Sequence, residues 1–533
     1  MEIYPEQQNG CLPEQLTQPE ETSLFPMTRR DAAFAVGGLI ISVFTAIYGV
    51  FGGFALGYTV SAAAMFILFA VYFAKGGKAQ AFPILCGLLA LANTAVFLCT
   101  TNGSVRFFGF LVTIALSLTC FDGLAAGGTT GNRQTVHLFC KAIATIGHIG
   151  VTLRSVFTDR TGHKKVVGKA LLGLAGAVPV LIVVVPLLVS SDDAFRGMVD
   201  RMFADTGKTL VKANFGVVLA MFAVSYGFSL KTGRTVQQKK GTFGGMENVY
   251  ILSFLTAISL CYLLYLFSQL AYFFSAFKGF LPEGGITYAQ YARKGFFEMC
   301  TIAVINLAIV FVALFLAKKQ NGKACHGIRL LATFIAVFTL VIIATAISKM
   351  VLYIDTYGMT VRRLTTSAFM VFLAVVFASV ILRIYFLKIN IVKTALLTAG
   401  CIVLLLGVIN VNRVCAEYNY RSYLNGNLKN IDVEAIYDLG DEGIPYITQL
   451  AADEDPVVAG AAKQYLARAC LRDYFENMSA SPSVTVEKLQ KNEKDKEFSK
   501  FNLPRAAAYE SLYRYVEEHP EFATKCRSYL KNN

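Results

Sequence analysis

Between Asp31 and Arg413 the chain repeats one pattern about eleven times: a hydrophobic stretch of roughly 20 residues, then a short basic loop. A helix rises 1.5 Å per residue, so about 20 apolar residues cross the ~30 Å hydrocarbon core of a bilayer. No water-soluble fold of this length needs such a series. The expected fold is all-α: a polytopic membrane bundle of about eleven transmembrane helices followed by a small α-helical C-terminal domain. The expected spans are 32–51, 54–74, 81–100, 104–125, 166–189, 210–230, 249–275, 296–317, 329–350, 364–387 and 394–412. Gly52-Gly53 makes the first two a tight hairpin.

Charge agrees with this reading once its distribution is known. The net charge is +14, with 16% charged residues against 55% hydrophobic ones. Residues 1–28 carry five Glu and no Lys or Arg, and 413–533 is slightly acidic, so the positive charge belongs to the membrane loops. That pattern is the positive-inside rule and excludes a nucleic-acid surface. With the N-terminus inside, 22 Lys and Arg fall in cytoplasmic loops and 11 in the opposite set. Eleven spans then place the C-terminal domain outside the cell.

The expected domains are a disordered tail (1–28), the membrane bundle (29–413), a helix–turn–helix unit (414–476), a linker (477–500) and C-terminal helices (501–533). In the soluble part, Asp455-Pro456 and Asn502 with Pro504 mark helix starts. Ile436, Leu439, Ile447 and Leu450 are expected to face Val457, Ala461 and Leu466. Two loops, 134–157 and 192–206, carry apolar stripes suited either to helices lying on the membrane surface or to amphipathic helices packed against neighbouring spans.

Most chemical motifs fail. Gly207-Lys208-Thr209 lacks the earlier glycine and the strand of a phosphate-binding loop, and the five His have no ligand spacing. The twelve Cys form no Cys-x-x-Cys pair, so zinc and redox sites have no support, and no cofactor is expected. Cys415, Cys470 and Cys526 are few and unpatterned, so helix packing and not disulfides should hold the C-terminal domain. Ionisable groups within spans lie near their ends (Asp122, Lys169, Lys212, Glu298, Lys349, Arg383), which argues against proton- or sodium-coupled transport. Asn93, Gln269 and Asn306 lie deeper and are expected to bond neighbouring helices.

Three loop segments stand out: Asp192 and Asp193 after a span; Tyr288, Tyr291, Arg293, Lys294 and Glu298 at a span entrance; and Asp355, Tyr357, Arg362 and Arg363 around a turn. Taken singly, each is accounted for by helix capping or interfacial anchoring. The topology puts all three on the outer face, where opposite charges are expected to form one polar cluster, with Arg293 or Arg363 bonding to a different outer loop. An acidic run in 432–455 (Asp432, Glu434, Asp438, Asp441, Glu442, Asp453, Glu454, Asp455) suits either a basic or metal-bridged partner or simple solvation.

These segments resemble an uncharacterised family of bacterial multi-pass membrane proteins, domain of unknown function 4173. The likeness runs over about 170–515. It rests on Ser190 to Asp192; on Thr287, Tyr288, Ala289, Tyr291, Ala292, Arg293, Gly295 and Phe296; on Tyr357, Gly358, Thr360 and Arg363, with Met359 departing from the family Leu; and on Asn412-Arg413 and Tyr418-Asn419. The resemblance implies a bacterial inner-membrane protein and supplies no activity. The first functional expectation is a non-enzymatic envelope scaffold or receptor with a protein partner at the C-terminal domain. A carrier for a lipid or envelope precursor comes second. An enzyme acting on a lipid-linked substrate comes third.

Overall fold

The computed structural model describes residues 28–73, 81–126, 206–232, 246–278, 296–319, 323–386, 389–472 and 498–526, with a few isolated positions besides. Helix dominates, and among these residues β-type pairing is confined to an isolated bridge between Met246 and Ala317. Ten of the described helices are long and apolar enough to cross a membrane. They coincide with ten of the eleven expected spans. The remaining one, 166–189, lies almost wholly outside the described residues, as do the surface helices expected at 134–157 and 192–206.

Five helices build the first half of the bundle: α1 (Arg29–Phe44, continued by a wider turn over Thr45–Val50), α2 (Leu56–Phe73), α3 (Ala81–Asn93, prolonged by α4, Val96–Cys99), α5 (Gly103–Ala126) and α6 (Thr206–Thr232). Their shared core is aromatic, with Phe34 stacked on Tyr72 at 4.0 Å and Phe69 on Phe121 at 4.6 Å. The second half comprises α7 (Asn248–Lys278), α8 (Phe296–Leu316), α9 (His326–Tyr357) and α10 (Val361–Tyr385). Its core is largely aliphatic, around Ile335, Ile342, Leu373 and Phe377.

Helix α11 (Ile391–Ile409) touches both halves: Leu396 and Leu397 pack on the first core, Ile391 and Ala395 on the second. It comes close to α3 because Gly400 has no side chain. A Cβ there would lie 2.5 Å from Leu89, and the space lets Asn93 Nδ2 donate to the Gly400 carbonyl at 3.2 Å. Asn306 similarly accepts from Tyr262 Oη at 2.5 Å and donates to Thr339 Oγ1 at 2.9 Å. Both asparagines bond neighbouring helices as expected, while the Gln269 side chain is outside the described residues.

The first helix corrects the sequence reading at one acid. Its span starts at Arg29 and not at 32, which carries Asp31 into the first turn, where it is wholly buried. A buried carboxylate costs several kcal/mol unless paired and hydrogen-bonded. Asp31 accepts from Thr28 N–H at 2.9 Å in a capping box, from Tyr72 Oη at 2.6 Å and from Lys231 Nζ at 2.5 Å, so it ties α1, α2 and α6 together at one end.

That end defines a near face, where the described chain begins; the opposite face is the far one. Lys231 at the C-terminal end of α6 meets Asp31 on the near face, and Lys212 near its start lies over the Phe51 ring at 6.0 Å on the far face. Helix α5 runs from far to near. The described chain therefore stops on the near face at Ala126 and resumes on the far face at Thr206.

Beyond α11 the chain turns soluble. Helices α12 (Val411–Leu424), α13 (Val433–Tyr437), α14 (Ile444–Leu450), α15 (Pro456–Arg472), α16 (Leu503–Glu518) and α17 (Pro520–Lys525) enclose one core on the far side of the bundle. Ile436, Ile447, Leu450, Leu466, Leu512 and Phe522 fill it, so α16 and α17 share the core of the helices before residue 473. Asp432 caps α13, Asn502 caps α16 through Arg505 N–H at 2.9 Å, and Asp455 accepts from Val457 N–H at 2.8 Å. Val457 departs from expectation: it lies in the first turn of α15 and is 77% exposed. Cys470 and Cys526 are buried as free thiols in this core.

Candidate functional site

The most polar buried region among the described residues lies where the soluble domain meets the far face. It starts from a single residue. Asn410 alone separates α11 from α12 and adopts the left-handed conformation (φ 62°), which Asn tolerates better than most residues. Its Oδ1 caps α12 through Arg413 N–H at 3.3 Å, and its Nδ2 donates to the Cys99 carbonyl at 2.8 Å. The link is thereby pinned to the end of α4.

Glu442 forms the centre. It follows the turn after α13, is 4% exposed and points into the bundle. It accepts from Thr101 N–H at 2.8 Å, from Thr101 Oγ1 and, at the outer limit of 3.5 Å, from Asn412 Nδ2. Asn412 also donates to the Leu439 carbonyl at 2.9 Å and accepts from Asn102 Nδ2 at 2.7 Å. Arg106 closes the far end of α4 by donating to the carbonyls of Phe97, Thr100 and Gly53, and its charge acts on Glu442 and Asp441. Hydrogen bonds to a charged group contribute about 1.5–3 kcal/mol each, enough to offset the burial of this carboxylate.

A second attachment holds the other half of the bundle. Asn419 on α12 accepts from Met359 N–H at 2.7 Å and donates to the Met359 carbonyl at 2.8 Å. Gly358 permits this approach: its φ is 77°, and a Cβ there would lie 2.6 Å from Asn419 Oδ1. Tyr418 Oη donates to Asp355 at 3.2 Å, and burial followed by this carboxylate raises the phenol above its ordinary pKa. Cys415, buried beneath, is pushed up to about 12 by desolvation, with Arg363 pulling the other way. A third attachment joins Leu56 N–H to the Phe501 carbonyl at 3.0 Å.

Between these attachments lies a cleft of about 450 Å³. Cys99, Ile409 and Asn410 form its bundle wall, and Tyr446, Gln449 and Ser511 belong to the soluble wall. Two cations, Arg413 and Arg514, and three acids, Asp441, Glu442 and Glu510, border it. Glu510 pairs with Arg514 at 3.4 Å, and the Tyr446 hydroxyl meets Arg413 and Glu417. The cleft can therefore bind a group with both charges or several hydrogen-bonding functions. Among the described residues, no three His, Cys, Asp or Glu side chains are grouped to hold a metal ion.

Of the residues expected to form an outer polar cluster, Asp192, Asp193, Tyr288, Tyr291 and Arg293 lie outside the described residues. Glu298 is exposed in the first turn of α8. Asp355, Tyr357, Arg362 and Arg363 all lie at the far-face turn between α9 and α10. Asp355 meets Tyr418. Among the described residues, Arg363 donates to the carbonyls of Tyr357 and Gly358 in its own turn and lies 4.0 Å over the Tyr353 ring; the loops expected to share its cluster lie outside the described residues. Local carbonyls at the C-terminal end of α9 satisfy it first. Arg362 and Tyr357 are exposed. Sequence reasoning missed Glu442 as a buried group, read Arg106 only as a loop charge, and missed Thr101, Asn102 and Asn410 altogether. The Asn412 and Tyr418-Asn419 elements, noted only as part of a resemblance, turn out to be attachment points.

Ten apolar helices and a soluble domain seated on one end define a polytopic α-helical membrane protein. The chain belongs to the family described as Domain of unknown function (DUF4153), which matches residues 59–450. This replaces the resemblance to the family numbered 4173; the two share their uncharacterised status. The matched stretch ends at the last residue of α14, so it includes Glu442, Asn412 and Asn419 and excludes α15 to α17. No curated protein and no solved structure is similar to the chain.

Proposed function

We propose that the protein is a non-enzymatic scaffold or receptor of a bacterial inner membrane, which holds its soluble domain in a fixed pose and binds a partner at the cleft. One observation carries this reading: the domain is bonded to both halves of the bundle, through Glu442 and Phe501 to the first and through Asn419 to the second. Rocking of the halves, on which alternating-access carriers depend, would break one set of these bonds. The cleft places both walls within reach of one ligand. In the same proposal the N-terminus is cytoplasmic and the soluble domain extracytoplasmic. The loop charge bias supports this.

The rigid pose is tested by spin labels at the exposed positions Phe108 on α5 and Val351 on α9, in the full chain in nanodiscs. A single narrow distance distribution is expected. Two populations would favour a carrier. Photo-crosslinkers at Gln449 and Ser511 in native membranes should capture the same partner, and one at Val457 should not. Equal capture at all three positions would reject the cleft as the binding surface.

A further inference from the structure

A second cavity, of about 100 Å³, lies on the near face between the ends of α8, α9 and α10. Four basic side chains border it: Lys319 and Lys323 from the α8–α9 connection, Arg329 from the first turn of α9 and Arg383 from the last turn of α10. Positive-inside bias explains why near-face loops are basic, but not why four cations converge from three elements onto one hollow. None of the four forms an ion pair with a described residue. The neighbouring acid, Glu247, lies 3.9 Å from Lys318 instead.

Two further observations indicate that an anion belongs there. The first turn of α9 contains no acid, and its N-cap, Cys325, makes no side-chain cap, so the positive end of a 32-residue helix faces His326 and Arg329 without compensation. Arg329 is only partly satisfied: its Nη2 meets His326 Nδ1 at 3.4 Å and its guanidinium lies 5.8 Å from the Tyr385 ring, while its buried Nε has no partner among the described residues. Close in the chain to the lining residues, Phe315, Leu330 and Phe386 are each more than half exposed. Exposed apolar side chains beside a basic hollow at the span ends suit the boundary between hydrocarbon and headgroups.

We infer that this cavity binds a phosphate group at headgroup level, between Lys319, Lys323, Arg329 and Arg383. The inference is independent of the partner proposed for the far-face cleft. An anionic phospholipid or free phosphate would supply the same chemistry. Basic residues near a membrane surface contribute about 1 kcal/mol each to anion binding, or about fivefold in affinity.

The test uses the full-length purified chain, delipidated in neutral detergent and titrated with short-chain phosphatidylglycerol, phosphatidylcholine or inorganic phosphate. Binding is read by native mass spectrometry and by the shift in thermal midpoint. Phosphatidylglycerol should bind with one-site stoichiometry. The exposed-loop double variant K319Q/K323Q should weaken it about 25-fold, R329Q/R383Q at least as much, and the soluble-domain variant K429Q not at all. Equal protection by inorganic phosphate, with the same loss in the variants, would identify the source as soluble phosphate. Phosphatidylglycerol binding unchanged in K319Q/K323Q, or matched by phosphatidylcholine, would overturn the inference.

Discussion

Asn419 bonds both sides of one peptide residue: its amide oxygen takes the Met359 N–H and its Nδ2 reaches the Met359 carbonyl, at 2.7 and 2.8 Å. A side-chain amide carries both a donor and an acceptor, so it can pair with a backbone residue in this two-way fashion without a charge. The soluble domain is thus registered on the turn after α9 by backbone geometry, which the identity of residue 359 does not alter.

Asn419→Ala should therefore destabilise the docking by about 1–3 kcal/mol, and Asn419→Asp by more, because a carboxylate would face the Met359 carbonyl. Hydrogen exchange over 411–424 should accelerate in both variants while the spans stay protected. Unchanged exchange would refute the role.

Glu442→Ala leaves the Thr101 N–H and hydroxyl without an acceptor in a buried place, and about 3 kcal/mol of docking energy should be lost. Glu442→Gln keeps one acceptor and should lose less than half as much. Limited proteolysis of the 427–431 segment should rank the proteins Ala, then Gln, then wild type. A Gln variant as labile as Ala would show that charge, not acceptance, matters.

Asp31→Asn removes the charge facing Lys231 and weakens three bonds at once, whereas Lys231→Gln frees an already half-exposed side chain. The first change should lower the thermal midpoint more than the second. Equal effects would mean that the ion pair alone, and not the cap and Tyr72, accounts for the contribution of Asp31.

The soluble-domain thiols should be silent. Burial pushes Cys526 up to about 11 and Cys415 to about 12, so both remain protonated at neutral pH, and only thiolates alkylate readily. Because the folded values lie above the ordinary thiol pKa of about 8.5, the stability tied to these protons is intact below that value. It is lost as pH rises toward 11 and 12. Maleimide should modify Cys415, Cys470 and Cys526 only after denaturation, and non-reducing mass spectrometry should show no Cys470–Cys526 bridge.

Reporter fusions at Gln237 and after Asn533 should report opposite sides of the membrane. The same side for both would remove the proposed orientation.

The spans were legible because 20 apolar residues in a row have few other uses, and the ten described ones lie within about four residues of the apolar runs, except that α9 continues seven residues past 350 to Tyr357. The site was less so. Glu442 sits in an acid-rich run that reads as a solvated face, and its partner Thr101 is 341 residues away in sequence. Only the fold brings them together. Asp31 is illegible for a smaller reason: the apolar run starts three residues after the helix does, so a buried boundary acid reads as a loop acid. For Arg363 the sequence could not show that the helix before it would end with free carbonyls in reach. The signal at Gly358 was present, in a Tyr-Gly pair between two spans, but it marked a close approach whose partner was unknown.

The one-residue link at Asn410 sets an angular phase. Each residue of an α-helix advances the chain by about 100°. Inserting or deleting a single residue within 411–417 would rotate Asn419 and all that follows around the α12 axis by that angle, away from Met359. The soluble domain is thus keyed to the spans by helical pitch, and a change of length here should do more damage than most changes of residue type.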